Sequence, residues 1–185
     1  MARKHRLAAA LALLGVATPF LAFTVPALVG ASHSYVEASS SMAPAIEEGD
    51  AVFVETVNPD TIGRGDIITF RPSEAAGLPS STVVTHRVVA VSDRSGERYF
   101  RTKGDANDAP DAGAVPAGRV VGRVKHTVPY LGTLVRTVGI ELGVVVFVAL
   151  PALALVVLEV RALVSAARYE SARTELSEWR WGPSD

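Results

Sequence analysis

Three kinds of side chain in the middle of this 185-residue chain could together perform serine catalysis. A serine-rich turn, Ser39-Ser40-Ser41-Met42-Ala43-Pro44, is followed by His86 and then by three carboxylates between positions 105 and 111. A serine hydroxyl becomes a good nucleophile when a neighbouring base takes its proton, and that base needs a group that orients it. The chain therefore contains residue types for all three roles. Taken alone, a serine-rich turn is more often structural.

Among the four histidines, His86 is the strongest candidate for the base. His5 precedes the first apolar segment, His33 lies close to that segment, and His126 belongs to a valine-rich stretch before the second one. His86 instead interrupts an apolar strand, where a polar side chain should have a partner. A histidine that faces outward from a strand is the alternative at this position.

The acidic loop after His86 supplies the candidate orienting group. Gly104–Asp111 contains Asp105, Asp108 and Asp111, and the residues alone do not decide which of these acids meets the histidine. A calcium loop would usually end in a bidentate glutamate, and none occurs here, so we expect no metal. A solvated loop remains an alternative. Lys103 keeps a serine–lysine dyad open, because a desolvated lysine can act as a base.

The overall composition excludes several other classes of protein. The chain has no cysteine, which removes thiol catalysis, disulfides and thiolate metal sites. Its formal net charge is −1 and no basic stretch is of the kind that follows a phosphate backbone, so a nucleic-acid partner is not expected.

Two apolar segments near the ends are predicted to cross a membrane. Residues 7–30 carry no charge and exceed the apolar core of a cleaved leader, which usually spans about 7–15 residues. The second segment, 138–160, is rich in Val, Leu and Ala and lacks the polar face of an amphipathic helix. A removed leader and a buried core helix are the respective alternatives.

Basic residues flank both predicted spans on their outer sides. Residues 1–6 and 161–185 contain Arg3, Lys4, Arg6, Arg161 and Arg168, so both termini are predicted to be cytoplasmic. The 161–185 segment is interpreted as a solvated tail, although it could extend the second helix. Residues 31–137 would then form an extracytoplasmic domain, and the chain would be a multi-pass protein of the cell membrane.

The segment between the spans has the pattern of short β-strands. Its runs are rich in Val, Ile, Thr and aromatic residues and are separated by turn-forming residues such as those of 93–96. The predicted strands are Ala51–Val57, Asp66–Phe70, Thr82–Val91, Arg98–Thr102 and Arg119–Val128. Residues 71–81 and 104–118 are predicted to be loops.

The ordered motifs resemble those of type I signal peptidases of the S26 family. The resemblance rests on Ser41-Met42-Ala43-Pro44, His86-Arg87, Gly104-Asp105-Ala106-Asn107 and Asp111, and on the strands that begin Gly49-Asp50 and Gly65-Asp66. The motifs are similar to the archaeal and endoplasmic-reticulum branch, where histidine replaces the lysine base of most bacterial enzymes. They cover about residues 36 to 124. Ser40 stands where glycine is commoner in the family, and Ala106 stands where asparagine is frequent.

The resemblance implies a role for each matching residue. Ser41 would be the nucleophile, His86 the general base and then the general acid, and Asp111 the third member of the triad. Asp105 matches a second important acid of the family. The backbone N–H of Ser41 and the side chain of Ser39 would form the oxyanion hole.

The resemblance also implies a fold and a reaction. We expect a mainly β, partly open barrel-like catalytic domain flanked by N- and C-terminal transmembrane helices, acting without a cofactor. Its partners would be preproteins with signal peptides, the lipid bilayer and the protein-export machinery. The reaction would be removal of the signal peptide, from many substrates or from a few. The alternative function is a membrane-anchored β-domain that binds exported proteins without cutting them.

Overall fold

The computed structural model describes residues 2–73, 79 and 81–179. It consists of one mainly β domain between helical segments at the two ends of the chain. All strand pairs are antiparallel, and the seven strands form a single sheet in the order β1-β2-β7-β3-β4-β5-β6. The strands are β1 His33–Val36, β2 Ala51–Glu55, β3 Ile67–Phe70, β4 Val84–Arg94, β5 Glu97–Lys103, β6 Val115–Pro116 and β7 Val120–Val128.

The sheet curls into a half-barrel, which confirms the predicted fold class of a mainly β, partly open barrel. Its register shifts between Phe53 and Val54, between Thr69 and Phe70, and between Val88 and Ala90. Such irregularities bend a strand and increase its twist, which is how a flat sheet becomes curved.

All five predicted strands are present in the structure, and two further strands join them. The sequence pattern missed β1 because His33–Val36 is short and partly polar, so its strand conformation depends on pairing with β2. It missed β6 because this two-residue strand contains a proline and lies within the predicted loop 104–118. Most of the other predicted loop, 71–81, lies outside the described residues.

The β4–β5 hairpin is longer than predicted because its turn is tight. Arg94 pairs with Glu97, which leaves Ser95 and Gly96 as the two turn residues. Both have positive φ, 51° and 80°, as in a two-residue turn whose twist matches that of the strands. The hairpin thereby continues both strands to the turn.

Four helices lie at the two ends of the chain. They are α1 Ala2–Thr24, α2 Leu131–Val138, α3 Ile140–Val144 and α4 Leu150–Trp179. A π-helical turn, Val145–Ala149, joins α3 to α4, and Gly139 with φ of 79° separates α2 from α3. Helix α4 continues to Trp179, through most of the segment interpreted as a solvated tail.

Among the described residues, one helical segment, Ile140–Ser165, has the length and apolar composition needed to cross a membrane. The first predicted span, 7–30, is helical as far as Thr24 and then forms a 3-10 turn at Pro26–Val29. Side chains along much of α1 lie outside the described residues, so this span remains a prediction.

The terminal helices contact one another and one end of the sheet. The rings of Phe20 in α1 and Phe147 in the π-helical turn are 5.6 Å apart between centroids. Phe20 and Phe23 also share a buried cluster with Phe53 of β2 and with Leu131 and Val135 of α2. Both terminal helical segments are therefore anchored at the β1–β2 end of the sheet.

Candidate active site

Ser41 lies in a turn that is held down by the residue after it. The Met42 side chain is fully buried with Ile46, Val52 and Val54. Two hydrogen bonds close the turn, from the Ala43 N–H to the Ser40 carbonyl and from the Ile46 N–H to the Met42 carbonyl, both 3.0 Å. Burial of Met42 thus fixes the backbone while the Ser41 hydroxyl remains accessible.

His86 projects from the first part of β4, opposite Ile68 of β3. Its side chain is only 10% exposed, and its ring lies edge-on to the ring of Phe70 with 6.4 Å between centroids. The His86 Nε2 atom lies 3.2 Å from Ser41 Oγ. The histidine therefore has the polar partner that its position in an apolar strand required.

Asp111 holds the other nitrogen of the same imidazole. Its Oδ2 atom lies 2.6 Å from His86 Nδ1 and also accepts a 2.7 Å hydrogen bond from the Thr102 hydroxyl. An ionised carboxylate only accepts hydrogen bonds, so Nδ1 carries the proton and Nε2 is free to accept the proton of Ser41. The arrangement has the geometry of a serine–histidine–aspartate triad.

Thr102 is a functional neighbour that the sequence did not reveal. It is fully buried on β5, opposite Val88 of β4, and its carbonyl also accepts a 2.8 Å hydrogen bond from the Asp111 N–H. Two contacts from one strand residue thus fix both the backbone and the carboxylate of Asp111. Only the pairing of β4 with β5 places Thr102 there.

Asp105 has a different partner. Its two carboxylate oxygens accept hydrogen bonds from Arg87 Nε and Nη2, at 2.8 and 2.6 Å. Arg87 Nη1 also donates to the Gly65 carbonyl at 2.9 Å. The hydrogen bonds from Arg87 hold the pKa of Asp105 below its usual value, and Asp105 raises the pKa of Arg87 in turn. The structure therefore brings Asp111, and not Asp105, into contact with His86.

The loop that carries both acids docks directly on the peptide unit of Ser41. The Ala106 N–H donates to the Ser41 carbonyl at 2.9 Å. A Cβ atom added to Gly104 would lie 2.6 Å from the same carbonyl oxygen and 2.8 Å from the Asn107 side chain. Glycine at 104 thus permits the close approach of the acidic loop to the nucleophile.

Ser39, which the family resemblance implies as the second oxyanion donor, lies beside Ser41. Its Oγ atom is 3.0 Å from Ser41 Oγ and 3.5 Å from the Ser41 backbone nitrogen. The same hydroxyl donates a 3.2 Å hydrogen bond to Glu37 Oε1. Glu37 was not among the residues singled out by the sequence.

The other candidate bases lie elsewhere. His33 stacks on Tyr35 with 6.0 Å between ring centroids, and His126 is exposed on β7 opposite Phe53. Lys103 stands opposite Arg87 at the end of β5, and the base in contact with Ser41 Oγ is His86. Within the described part of the chain, no group of three or more His, Asp or Glu residues is placed to hold a metal ion.

A cavity of about 610 Å³ opens beside the His86–Asp111 pair. Its walls are mostly apolar, and two arginines contribute to them. The lining residues include Phe70, Val84, Tyr99, Val115, Arg71 and Arg119. This space could receive part of an extended peptide next to the candidate base.

Comparison with known proteins identifies the family of this chain. The family model for signal peptidases of peptidase family S26 matches residues 7–98, which include both Ser41 and His86. The chain belongs to this family. The resemblance inferred from the motifs is therefore confirmed.

Several relatives agree with the family assignment. The chain is 35% identical over 102 residues to the signal peptidase complex catalytic subunit SEC11C of human and of dog, covering 51% of this chain and 50% of each relative. It is also 35% identical over 78 residues to signal peptidase I W of Bacillus subtilis, covering 42% of this chain and 38% of that protein. The chain thus spans about half the length of the SEC11C relatives, or less in the bacterial case.

Proposed function

We propose that this S26 family member is a membrane-bound serine endopeptidase that removes signal peptides from exported preproteins. The observation that carries the proposal is the continuous line of contacts from Ser41 Oγ through His86 to Asp111, at 3.2 and 2.6 Å. A binding domain without catalytic activity has no need of this geometry. The names of the relatives, which are signal peptidases or their catalytic subunits, support the choice of substrate.

In the proposed reaction, His86 Nε2 takes the proton of Ser41 as Oγ attacks the scissile carbonyl carbon. The imidazolium that forms is stabilised by the Asp111 carboxylate, which Thr102 holds in place. His86 then gives its proton to the leaving amine, and the signal peptide remains bound to Ser41 as an ester. A water molecule, deprotonated by His86, hydrolyses this ester and restores the site.

Negative charge develops on the carbonyl oxygen in both steps. We propose that the Ser41 N–H and the Ser39 hydroxyl donate to it. Asp105 has a supporting role in this proposal: with Arg87 it fixes the acidic loop against the β2–β3 turn at Gly65.

The proposed location is the outer face of the cell membrane, with both termini cytoplasmic. Two observations support it: the terminal helices contact each other through Phe20 and Phe147, and both are anchored at one end of the sheet. The helices therefore leave the β-domain from the same end, as two spans of one hairpin would. Even an extended tether of about 3.3–3.6 Å per residue between the first span and Ser41 keeps the nucleophile within about 40 Å of the bilayer. A preprotein held by its apolar core presents its cleavage site near that surface.

The test is cleavage of a preprotein by the purified full-length chain in detergent, with N-terminal sequencing of the product. We expect wild type and Ser40→Ala to release a mature chain and Ser41→Ala to release none. Ser40 is a matched control because it is the adjacent serine and is exposed. If wild type binds several preproteins and cuts none of them, the protein is a binding domain and the proposal is wrong.

A further inference from the structure

Glu37 places a carboxylate next to the proposed oxyanion hole. Its Oε1 atom accepts the hydroxyl proton of Ser39 at 3.2 Å, and that hydroxyl lies 3.0 Å from Ser41 Oγ. The backbone of Glu37 is fixed by two 2.9 Å hydrogen bonds, from its N–H to the Asp50 carbonyl and from the Gly49 N–H to its own carbonyl. The backbone that carries this carboxylate is therefore fixed directly after the β1–β2 pairing.

Within the described part of the chain, the charge of Glu37 has no basic partner. None of the ion pairs among the described residues includes it, whereas Glu55 on the same sheet is paired with both Arg123 and Lys125. An unpaired carboxylate 3.2 Å from the proposed oxyanion donor Ser39 Oγ opposes the negative charge that develops on the substrate oxygen.

The available protons do not satisfy every contact at this site. Glu37 meets Ser39, Ser39 meets Ser41, and Ser41 meets His86, so three contacts share the protons of two hydroxyl groups. For attack, the Ser41 proton must point to His86, because Nε2 is then the acceptor. The single hydroxyl proton of Ser39 can then be donated either to Glu37 Oε1 or to Ser41 Oγ. An ionised carboxylate is a stronger acceptor than a hydroxyl group, so the proton is donated to Glu37.

Ser39 therefore cannot donate to the substrate oxygen while it donates to Glu37. Its Oγ atom also lies 3.5 Å from the Ser41 nitrogen, in the direction of the N–H. Without substrate, both donors of the proposed oxyanion hole therefore contact other groups of the protein. The Ser39 hydroxyl donates to Glu37, and the Ser41 N–H points to Ser39 Oγ. We propose that Glu37 is a latch that holds the Ser39 hydroxyl and lowers the rate of the reaction. It is a positioning residue that acts through Ser39, and the inference rests on the proposed function.

The test compares Glu37→Gln, which removes the charge at constant size, with Glu48→Gln, which makes the same change at an exposed turn residue. Two rates are measured with the full-length protein in detergent: preprotein cleavage and the burst of p-nitrophenol from p-nitrophenyl acetate. We expect Glu37→Gln to raise kcat and the burst rate about 3- to 10-fold, the range of one weak hydrogen bond, with KM nearly constant. Glu48→Gln should leave both rates unchanged.

A double-mutant cycle identifies the route of the effect. In a Ser39→Ala background, Glu37→Gln should no longer raise either rate, because the residue through which it acts is gone. Glu37→Asp keeps the charge and withdraws the carboxylate by one methylene group, so it should give a smaller increase. This second variant also guards against a Glu37→Gln protein that does not fold.

The outcomes separate this inference from the proposed function. A lower or unchanged rate in Glu37→Gln overturns the latch, and so does an equal gain in the Ser39→Ala background or in Glu48→Gln. If no preprotein is cut but a Ser41-dependent burst is accelerated in Glu37→Gln, the latch stands and the substrate assignment fails. If there is neither cleavage nor a Ser41-dependent burst, both are wrong.

Discussion

Exchange of Asp111 for Asn separates the charge of the proposed triad from its hydrogen bonds. The amide oxygen of Asn can still accept from His86 Nδ1 and from the Thr102 hydroxyl, which now contact Oδ2 at 2.6 and 2.7 Å. The substitution therefore removes mainly the negative charge that faces the imidazolium. Two unit charges about 4 Å apart, at an effective dielectric constant of about 20, interact by about 4 kcal/mol. We expect kcat to fall about 10³-fold, because each 1.4 kcal/mol or so corresponds to a factor of ten.

The matched variant is Asp105→Asn. This acid contacts Arg87 and not His86, so its charge does not face the proton that moves. We expect kcat to fall less than about tenfold, and stability to fall by about 1.5–2 kcal/mol, the lower part of the range for hydrogen bonds to charged groups. For a chain of this size, that loss lowers Tm by roughly 3–8 °C.

The assay measures initial cleavage rates and thermal unfolding by circular dichroism, for both variants in the same detergent. Asp111→Asn should lose activity and keep its Tm, whereas Asp105→Asn should keep most of its activity and have a lower Tm. If Asp105→Asn loses about 10³-fold in kcat and Asp111→Asn less than tenfold, the contacts described here do not represent the working site.

Three further predictions concern the same site. Gly104→Ala should lower kcat by at least about tenfold, since the new Cβ would force the acidic loop away from the Ser41 carbonyl, and a cleavage assay checks this. The hydrogen bonds from Arg87 lower the pKa of Asp105 in the folded protein. The stability that the ionised carboxylate contributes is therefore fully present above the pKa of the unfolded chain, near 3.9, and is lost as the pH falls through the lower pKa of the folded state. Thermal melts between about pH 5 and 2 should show a smaller acid loss in Asp105→Asn than in wild type. His86→Ala should lower kcat by about 10²- to 10⁴-fold, whereas His126→Ala, an exposed change on β7, should leave the cleavage rate unaltered.

Local patterns in the sequence predicted much of the fold. The β-branched runs around Ala51, Ile67, His86 and Val120 become strands because such side chains suit a pleated, half-buried surface. The Ser95-Gly96 turn was predicted for a similarly local reason, since its residues accept positive φ. Strand β1 could not be predicted in this way, because its conformation comes from hydrogen bonds to β2.

Sequence reasoning was sufficient to find the residue types of the site: a serine in a turn, a histidine in an apolar strand and several acids in the next loop. Which acid meets the histidine follows from the folded structure alone. Asp105 and Asp111 lie on one loop, and their separation depends on Arg87 and Thr102, which β4 and β5 bring to that loop. The position of Glu37 beside Ser39 is likewise set by the pairing of β1 with β2. Contacts between residues far apart in the chain depend on strand register, and register is a property of the whole sheet.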